Sequence, residues 1–173
     1  DNPYSLTLND TPKSLLDLDP NKEVVMELNS LSKSHNMAGW RLGMLVANQT
    51  RIEEILKFKS NMDSGMFLPI QHAAIKALEL GKNWYKGNNL IYEERRKKVW
   101  ELLNVLQCKY SKTQVGMFVW AKIPDSISNS TDFSDLILQN TKVFITPGSI
   151  FGSKGDKYIR VSLCNNIETL DVA

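Results

Sequence analysis

The stretch Asn-Ser-Leu-Ser-Lys-Ser-His-Asn-Met-Ala-Gly-Trp-Arg-Leu-Gly at residues 29–43 carries the densest chemical information in this chain. Lys33 follows a predicted strand, has Ser30 and Ser32 before it, and precedes Arg41 by eight positions. Serine hydroxyls, backbone N–H groups at a helix start and an arginine can together bind an anion. A lysine beside such a cradle could form a Schiff base. A polar loop with an exposed lysine and an arginine in a structural ion pair would give the same residue pattern.

The composition indicates a globular protein. The chain has 173 residues, of which 42% are hydrophobic and 23% charged, so it can bury a substantial core and lies outside the composition of disordered proteins. Its net charge is only +2, whereas nucleic-acid-binding proteins usually carry a concentrated basic excess. We therefore expect no nucleic-acid partner, and we interpret the charged run at residues 93–98 as a solvated helix face with i,i+4 ion pairs.

Hydropathy and cysteine usage favour a cytoplasmic protein. No apolar run approaches the roughly 20 residues that cross a bilayer, and we expect neither a membrane partner nor a signal peptide. Cys108 and Cys164 form no CxxC motif, so the sequence predicts no metal site and no disulfide framework. Because the chain begins with Asp1 in a segment that resembles the interior of a protein, we expect it to be a piece of a longer one.

Hydrophobic periodicity predicts alternating strands and helices in the first part of the chain. The predicted elements are a buried strand at residues 22–28, a strand at 43–47, and helices at 48–60, 67–80 and 82–106. We expect Gly81 to end the second of these helices and Gly87 to interrupt the third, whose apolar face would comprise Ile91, Val99, Leu102, Leu103 and Leu106.

After residue 106 the pattern changes to short strands around one helix. The predicted strands are residues 108–111, 117–123, 143–146 and 158–163. A helix is predicted at 131–140 with Thr131 or Asp132 as its cap, and a further helix from Glu168.

The ordered string Ser-x-Ser-Lys followed by Ala-Gly-Trp-Arg-Leu-Gly resembles the pyridoxal-phosphate lysine motif of the class I and II aminotransferases, which have fold type I. The resemblance implies that Lys33 forms the Schiff base with the cofactor. It also implies that Ser30 and Arg41 hold the cofactor phosphate, with Ser32 as a second phosphate-binding candidate.

The first residues, Asp1-Asn2-Pro3-Tyr4, resemble the Asp-x-x-Tyr of the same family. The resemblance implies that Asp1 pairs with the pyridinium nitrogen and that Tyr4 hydrogen-bonds the phenolic oxygen of the ring. A carboxylate beside a ring nitrogen favours the protonated form, which makes the cofactor a better electron acceptor.

Two segments near the end of the chain extend the resemblance to substrate binding. Pro-Gly-Ser-Ile-Phe-Gly at 147–152, followed by Tyr-Ile-Arg-Val-Ser at 158–162, resembles the end of the family's small domain, which implies that Arg160 binds the substrate α-carboxylate. From the residues alone, Arg160 could equally point outward from a strand. Gly116, in Gly-Met-Phe, resembles a glycine that leaves room near the substrate.

The resemblance implies an α/β fold: the C-terminal part of a PLP-dependent transferase fold, with the end of the large-domain sheet and an α+β small domain. The expected domains are 1–80, the end of the large PLP-binding domain; 81–106, a connecting long helix; and 107–173, the small domain. Family members are usually homodimers with shared active sites, so we expect the isolated chain to be inactive.

The implied function is amino transfer between an amino acid and a 2-oxo acid. The same residues would serve a PLP-dependent lyase or decarboxylase of this fold, and a non-catalytic fragment is a third hypothesis. Residues 61–67 lack the arginine of dicarboxylate-specific relatives, so neutral, aromatic and diamino acids stay open as substrates. We interpret His35 as a packing residue and Asp63 as a loop cap.

Overall fold

The computed structural model describes residues 3–19, 21 and 23–173. The chain divides into two compact units, Asp1–Lys86 and Gly87–Ala173. The division into functional domains at residues 80 and 106 stays a prediction. No helix in the described ranges is long and apolar enough to cross a membrane.

The first unit combines a two-stranded antiparallel sheet with helices. Its elements are β1 (Glu27–Ser30), α1 (Leu31–Ser34), β2 (Gly43–Val46), α2 (Gln49–Met62) and α3 (Leu68–Glu79), with short 3-10 turns at Leu15–Asp17 and Ala38–Trp40. Ser30 lies opposite Gly43 in the register. A side chain at Gly43 would bring its Cβ to 2.9 Å from the Asn29 carbonyl oxygen, so the close approach of the two strands requires glycine there.

The buried strand expected at residues 22–28 is wrong. The strand begins only at Glu27, and Val24 is 86% exposed. The Asp19 carboxylate accepts hydrogen bonds from the backbone N–H groups of Val24 and Val25, both at 2.9 Å, which holds this segment in a turn. Lys22, at the start of the predicted strand, lies outside the described residues.

The predicted helices at 48–60 and 67–80 are confirmed as α2 and α3. The Asn48 side chain caps α2 by accepting from the Arg51 N–H, and Pro69 occupies the first turn of α3. A long helix, α4 (Gly81–Val105), follows at once. Gly81 follows the C-cap Leu80 with φ +64°, the left-handed conformation that commonly ends a helix, so it ends α3 as predicted, and α4 begins at the same residue.

Helix α4 runs through Gly87 without the expected interruption. A glycine inside a helix costs about 1 kcal/mol relative to alanine, which the packed face of a long helix can offset. Tyr92, Val99 and Leu103 form that buried face, whereas Ile91, expected there, is 48% exposed. Val99 and Leu103 thus lie on the buried face as predicted, and Tyr92 takes the place expected for Ile91.

The second unit is a four-stranded antiparallel sheet with helices against it. Its further elements are β3 (Lys109–Tyr110), β4 (Phe118–Lys122), α5 (Ser130–Thr141), β5 (Thr146–Pro147), β6 (Tyr158–Ser162) and α6 (Ile167–Asp171), with strand order β3-β4-β6-β5. The strand predicted at 143–146 is reduced to β5, because the Val143 N–H donates to Thr141 Oγ1 and the Ile145 carbonyl accepts from the Ser134 hydroxyl. Asn129, rather than Thr131 or Asp132, caps α5.

The charged run at 93–98 is only partly a solvated face. Arg95 donates to the carbonyl oxygens of Leu163 and Cys164, and Arg96 donates to that of Gln114. Lys98 pairs with Glu101 at i,i+3 spacing. The two arginines thus hold loops of the second unit against α4, which the expectation of i,i+4 pairs did not include.

Candidate active site

Lys33 lies on a short helical turn that begins with a serine cap. Ser30 precedes α1, and its Oγ accepts a hydrogen bond from the Ser32 N–H at 3.1 Å. The same hydroxyl donates to Ser32 Oγ at 2.9 Å. A cap of this kind satisfies a backbone donor that has no partner within the helix. The hydroxyls of both predicted phosphate-binding serines therefore lie together, directly before Lys33.

The turn is anchored to the small core of the first unit. The Leu31 N–H donates to the Leu42 carbonyl at 3.3 Å, and the Ser30 hydroxyl lies 3.5 Å from the same oxygen. Leu31, Met37, Leu42 and Ala77 form one buried hydrophobic cluster. Because α3 contributes Ala77, the Lys33 turn is held between β2 and a longer helix.

The Lys33 amine has no partner in the part of the chain that the structure describes: its Nζ makes no recorded hydrogen bond or ion pair there. The side chain is half-buried. An amine in this situation is available to react with a carbonyl carbon, which is what a Schiff-base lysine requires.

Arg41 lies at the end of the 3-10 turn Ala38–Trp40 in the left-handed conformation, with φ +53°. Its Nη1 donates to the Ala38 carbonyl at 3.1 Å. No carboxylate in the described ranges lies within ion-pair distance of this guanidinium. The structural ion pair that the sequence left open is therefore not seen in those ranges, and the backbone of Arg41 leads directly into the Leu42 carbonyl that binds the Lys33 turn.

The donor set around the Lys33 turn fits a phosphate. The Ser32 hydroxyl accepts from Ser30, and its own proton has no recorded acceptor among the described residues. The Ser32 hydroxyl proton and the guanidinium of Arg41 are a donor and a positive charge of the kind that binds such an anion, whereas the Ser30 proton is already donated to Ser32. The structure thus brings Ser30, Ser32 and Lys33 onto one turn, hydrogen-bonded to the strand that follows Arg41.

Of the two residues expected near the cofactor ring, only one can be described. Tyr4 is half-buried in a turn, where its carbonyl accepts from the Thr7 N–H at 3.0 Å. Asp1 lies outside the described residues. Both of their roles stay predictions.

Arg160, in the second unit, is held between two aromatic rings. Its Cζ lies 4.1 Å from the ring centroid of Phe118 and 4.2 Å from that of Phe151. These distances are typical of strong cation–π contacts. No hydrogen bond or ion pair of its guanidinium is recorded among the described residues, so its N–H groups remain available for a planar carboxylate.

Gly116 lies two residues before the strand that contributes Phe118. It is buried and has φ +91°, a conformation that glycine adopts readily and other residues rarely do. The backbone here therefore requires glycine independently of any substrate. The adjacent Met117 carbonyl accepts from the Leu163 N–H at 2.9 Å, which ties this turn to the end of β6.

Three aromatic residues that sequence reasoning missed contact the predicted site residues or their neighbours. Phe151 packs on Arg160, and Trp84 and Tyr85 contact His35, which is 6% exposed and thus a packing residue as predicted. The partners lie nine to fifty positions apart, so no local spacing signals the contacts. Only the Phe of the Pro-Gly-Ser-Ile-Phe-Gly segment was within a motif already singled out.

The whole chain, residues 1–173, matches the family described as aminotransferase class I and II. The chain belongs to the class I and II aminotransferase family. Its sequence is 38% identical over 165 residues to an LL-diaminopimelate aminotransferase of Nitratidesulfovibrio vulgaris, covering 95% of this chain and 42% of the relative. A protein of the same name from Dehalococcoides mccartyi is 39% identical over 173 residues, covering 99% of this chain and 44% of the relative.

Solved structures agree with the family assignment. The apo structure of BacF from Bacillus subtilis superposes with a TM-score of 0.87 at 36% identity, covering 99% of this chain and 44% of that one. An aromatic aminotransferase from Pyrococcus horikoshii gives 0.85 at 32% identity, covering 98% and 46%. The predicted fold class, part of a PLP-dependent transferase fold, is confirmed. The chain spans less than half the length of the curated relatives it matches.

Proposed function

We propose that the full-length protein containing this chain is a pyridoxal-phosphate-dependent aminotransferase. The observation that carries the proposal is the Lys33 amine, which has no partner among the described residues and lies on a turn capped by Ser30, directly after the hydroxyls of Ser30 and Ser32. Family members at 38–39% identity are named aminotransferases, which favours amino-group transfer over elimination or decarboxylation.

The residues of this chain would hold the cofactor at two ends. Ser30, Ser32 and Arg41 would bind the phosphate, and Asp1 and Tyr4 would contact the ring. The cofactor, when bound, supplies an electron-withdrawing ring that accepts the electron pair left on the substrate's α-carbon. The chain's own contribution is to place a charged or hydrogen-bonding group at each end of that ring.

Two side chains would act on the substrate. Arg160, held between the rings of Phe118 and Phe151, would bind the α-carboxylate through parallel N–H groups. The Lys33 amine, once displaced by the substrate, would take the proton from the substrate α-carbon. It would then give that proton to the carbon on the other side of the substrate nitrogen. Gly116 would leave room for the substrate beside this arginine.

The substrates are an amino acid and a 2-oxo acid. LL-diaminopimelate is the first amino donor to test, because relatives of about 40% identity are named LL-diaminopimelate aminotransferases. Asp63 is an unsuitable partner for a cationic substrate group. Its carboxylate already accepts from Lys59 Nζ at 2.8 Å and from the Gly65 N–H at 2.9 Å, and these contacts lower its pKa.

We further propose a cytoplasmic homodimer, with size-exclusion chromatography coupled to light scattering as the test of the dimer.

The decisive test maps the cofactor-binding lysine in the full-length protein. The protein is incubated with pyridoxal phosphate, reduced with borohydride, digested and analysed by mass spectrometry. We expect selective labelling of Lys33 and its loss in Lys33→Ala. The matched control is Lys97→Ala, at an exposed position of α4, which should leave the labelling unchanged.

Product analysis then separates the reaction types. A 2-oxo acid together with the aminated cofactor identifies amino transfer, whereas ammonia with pyruvate identifies elimination. Labelling spread over exposed lysines and unaltered by Lys33→Ala would contradict the proposal.

A further inference from the structure

A buried polar cluster lies directly behind the Lys33 turn. His35 is only 6% exposed and Ser34 is 7% exposed, although both carry polar groups. Two residues at the start of α4 contact them: the Trp84 Nε1–H donates to the Ser34 carbonyl at 2.8 Å, and the Tyr85 hydroxyl lies 3.2 Å from His35 Nε2. Burying a polar group lowers the stability of the fold unless its hydrogen bonds are made, so the arrangement of this cluster needs an explanation.

When the Ser34 hydroxyl donates to Ser30 and the ring is neutral, the hydrogen bonds from Ser34 through His35 to Tyr85 run in one direction. The Ser34 hydroxyl donates its single proton to the Ser30 carbonyl at 3.2 Å. It can therefore only accept from His35 Nδ1, which lies 2.9 Å away. With the proton on Nδ1, the Nε2 atom accepts from the Tyr85 hydroxyl. The hydrogen bonds thus run without a break from Tyr85 through His35 and Ser34 to Ser30.

This series of hydrogen bonds ends on the residue that caps the Lys33 helix. Ser30 uses its carbonyl to receive the Ser34 hydroxyl and its own hydroxyl to contact Ser32. The relay therefore holds α1 through the Ser30 carbonyl and does not use the Ser30 and Ser32 hydroxyls. Losing one of its bonds would loosen the turn that carries Lys33 without removing any predicted cofactor contact.

We propose that Tyr85, His35 and Ser34 form a directional hydrogen-bond relay that positions the Lys33 turn for cofactor attachment. These three are positioning residues, because they act on Lys33 through Ser30. The inference rests on the proposed function for its purpose, while the relay itself is read from the contacts within the first unit.

The surroundings of His35 support a neutral ring. Burial lowers the pKa of His35, and the Ala77 backbone carbonyl, from α3, opposes this to a smaller extent. From α4, the Trp84 ring stacks nearly parallel at 6.4 Å between centroids and the Tyr85 ring meets His35 edge-on at 5.4 Å. The groups recorded against the ring from α1, α3 and α4 are thus Ser34, Ala77, Trp84 and Tyr85, and all are uncharged at neutral pH.

The test uses the full-length protein and reads local order without relying on activity. Tyr85→Phe removes only the hydroxyl that donates to His35. In the cofactor-free protein, we expect backbone amide hydrogen exchange in the peptide covering residues 30–35 to accelerate about fivefold, as expected for one lost buried hydrogen bond. Borohydride-trapped labelling of Lys33 should slow in parallel. Tyr110→Phe, which removes a hydroxyl bonded to Asn104 in the second unit, is the matched control and should change neither rate.

A double-mutant cycle separates the relay from simple packing. His35→Asn retains an N–H near the position of Nδ1 and can still reach Ser34, but it ends the link to Tyr85. If the relay exists, Tyr85→Phe accelerates exchange less than about twofold in the His35→Asn background. Equal acceleration in both backgrounds, or unchanged exchange in Tyr85→Phe alone, would overturn the inference.

The outcomes also distinguish the relay from the proposed function. Selective Lys33 labelling with no response to Tyr85→Phe or Ser34→Ala would refute the relay and leave the aminotransferase proposal standing. Faster exchange in these variants without any Lys33 labelling in the parent protein would establish the relay as a property of the fold and refute its role in cofactor attachment.

Discussion

The two units position their reactive cations by different physical means. In the described residues, buried hydrophobic side chains number four in the first unit and fourteen in the second, so the second has by far the larger core. Lys33 in the first unit is placed by serine, histidine and tyrosine hydrogen bonds around a small cluster. Arg160 in the second is placed by a sheet and two aromatic rings. A site with little core behind it depends on polar networks, whereas one on a packed sheet depends on side-chain shape.

Truncating one leucine in each core should produce the largest effect and test this contrast. Leu103 is 0% exposed and Leu31 is 3% exposed. Leu103→Ala should lower the free energy of unfolding of the full-length protein by about 4 kcal/mol, and Leu31→Ala by about 2.5 kcal/mol, since a smaller cluster surrounds Leu31. Urea unfolding followed by circular dichroism measures both.

Leu18→Ala, at a position that is 80% exposed, is the control and should leave the unfolding midpoint nearly unchanged. Leu31→Ala should in addition slow cofactor labelling of Lys33, which Leu103→Ala should not do by direct effect. A larger loss of stability for Leu31→Ala than for Leu103→Ala would show that the first unit depends on its core as much as the second.

A smaller effect is expected from changing one of the two aromatic rings, Phe118 and Phe151, that hold Arg160. Phe151→Leu keeps an apolar side chain but removes one of the two ring faces that Arg160 contacts. A cation–π contact of this kind contributes about 1 kcal/mol, so KM for the amino acid should rise about fivefold with little change in kcat.

Arg160→Lys would sharpen the comparison, because lysine keeps the charge and lacks the planar fork. We expect a larger rise in KM than for Phe151→Leu. Ile150→Leu, at an exposed neighbouring position, is the control. Equal KM values for Phe151→Leu and the parent protein would show that the sheet alone orients the guanidinium.

The smallest effect concerns pH and tests the polar network of the first unit. Because burial lowers the pKa of His35 below its ordinary value of 6.5, the unfolded chain binds a proton on this ring before the folded one does. Stability should therefore fall as pH drops through that value and continue to fall until the folded-state pKa is reached.

The measurement is the unfolding midpoint of the full-length protein between pH 8 and pH 5. His35→Phe should reduce the dependence on pH in this window, whereas His72→Gln, at an exposed position of α3, should not. An unchanged slope in His35→Phe would mean that the ring is not held neutral in the folded protein.

Much of the fold could be predicted from local signals. The alternation at residues 158–162 places Ile159 and Val161 in the core, and the helix predicted at 48–60 forms as α2. Errors arose where a polar side chain or packing against other elements, and not the hydrophobic pattern, decides the backbone conformation. Asp19 draws Val24 out of a strand, and packing along one face carries α4 through Gly87.

In the candidate site, too, local motifs could be predicted and contacts between distant residues could not. The order of residues in 29–43 was enough to single out Lys33, its serines and Arg41, because a cap, a lysine and the arginine that follows are neighbours in sequence. Phe151 beside Arg160, and Tyr85 behind His35, could not be found by spacing. Each of these contacts joins elements whose packing depends on the whole unit.

The sequence by itself therefore determined the family and the strand-and-helix order of most of the chain, and it singled out Lys33 as the candidate lysine, since these depend on periodicity and on short contiguous motifs. The tertiary structure alone decided which groups surround those residues. It placed two rings on Arg160, left no carboxylate against Lys33 among the described residues, and gave His35 the buried Ser34 hydroxyl on one ring nitrogen and the partly buried Tyr85 hydroxyl on the other. Such contacts follow from three-dimensional packing, which brings together side chains that no local pattern relates.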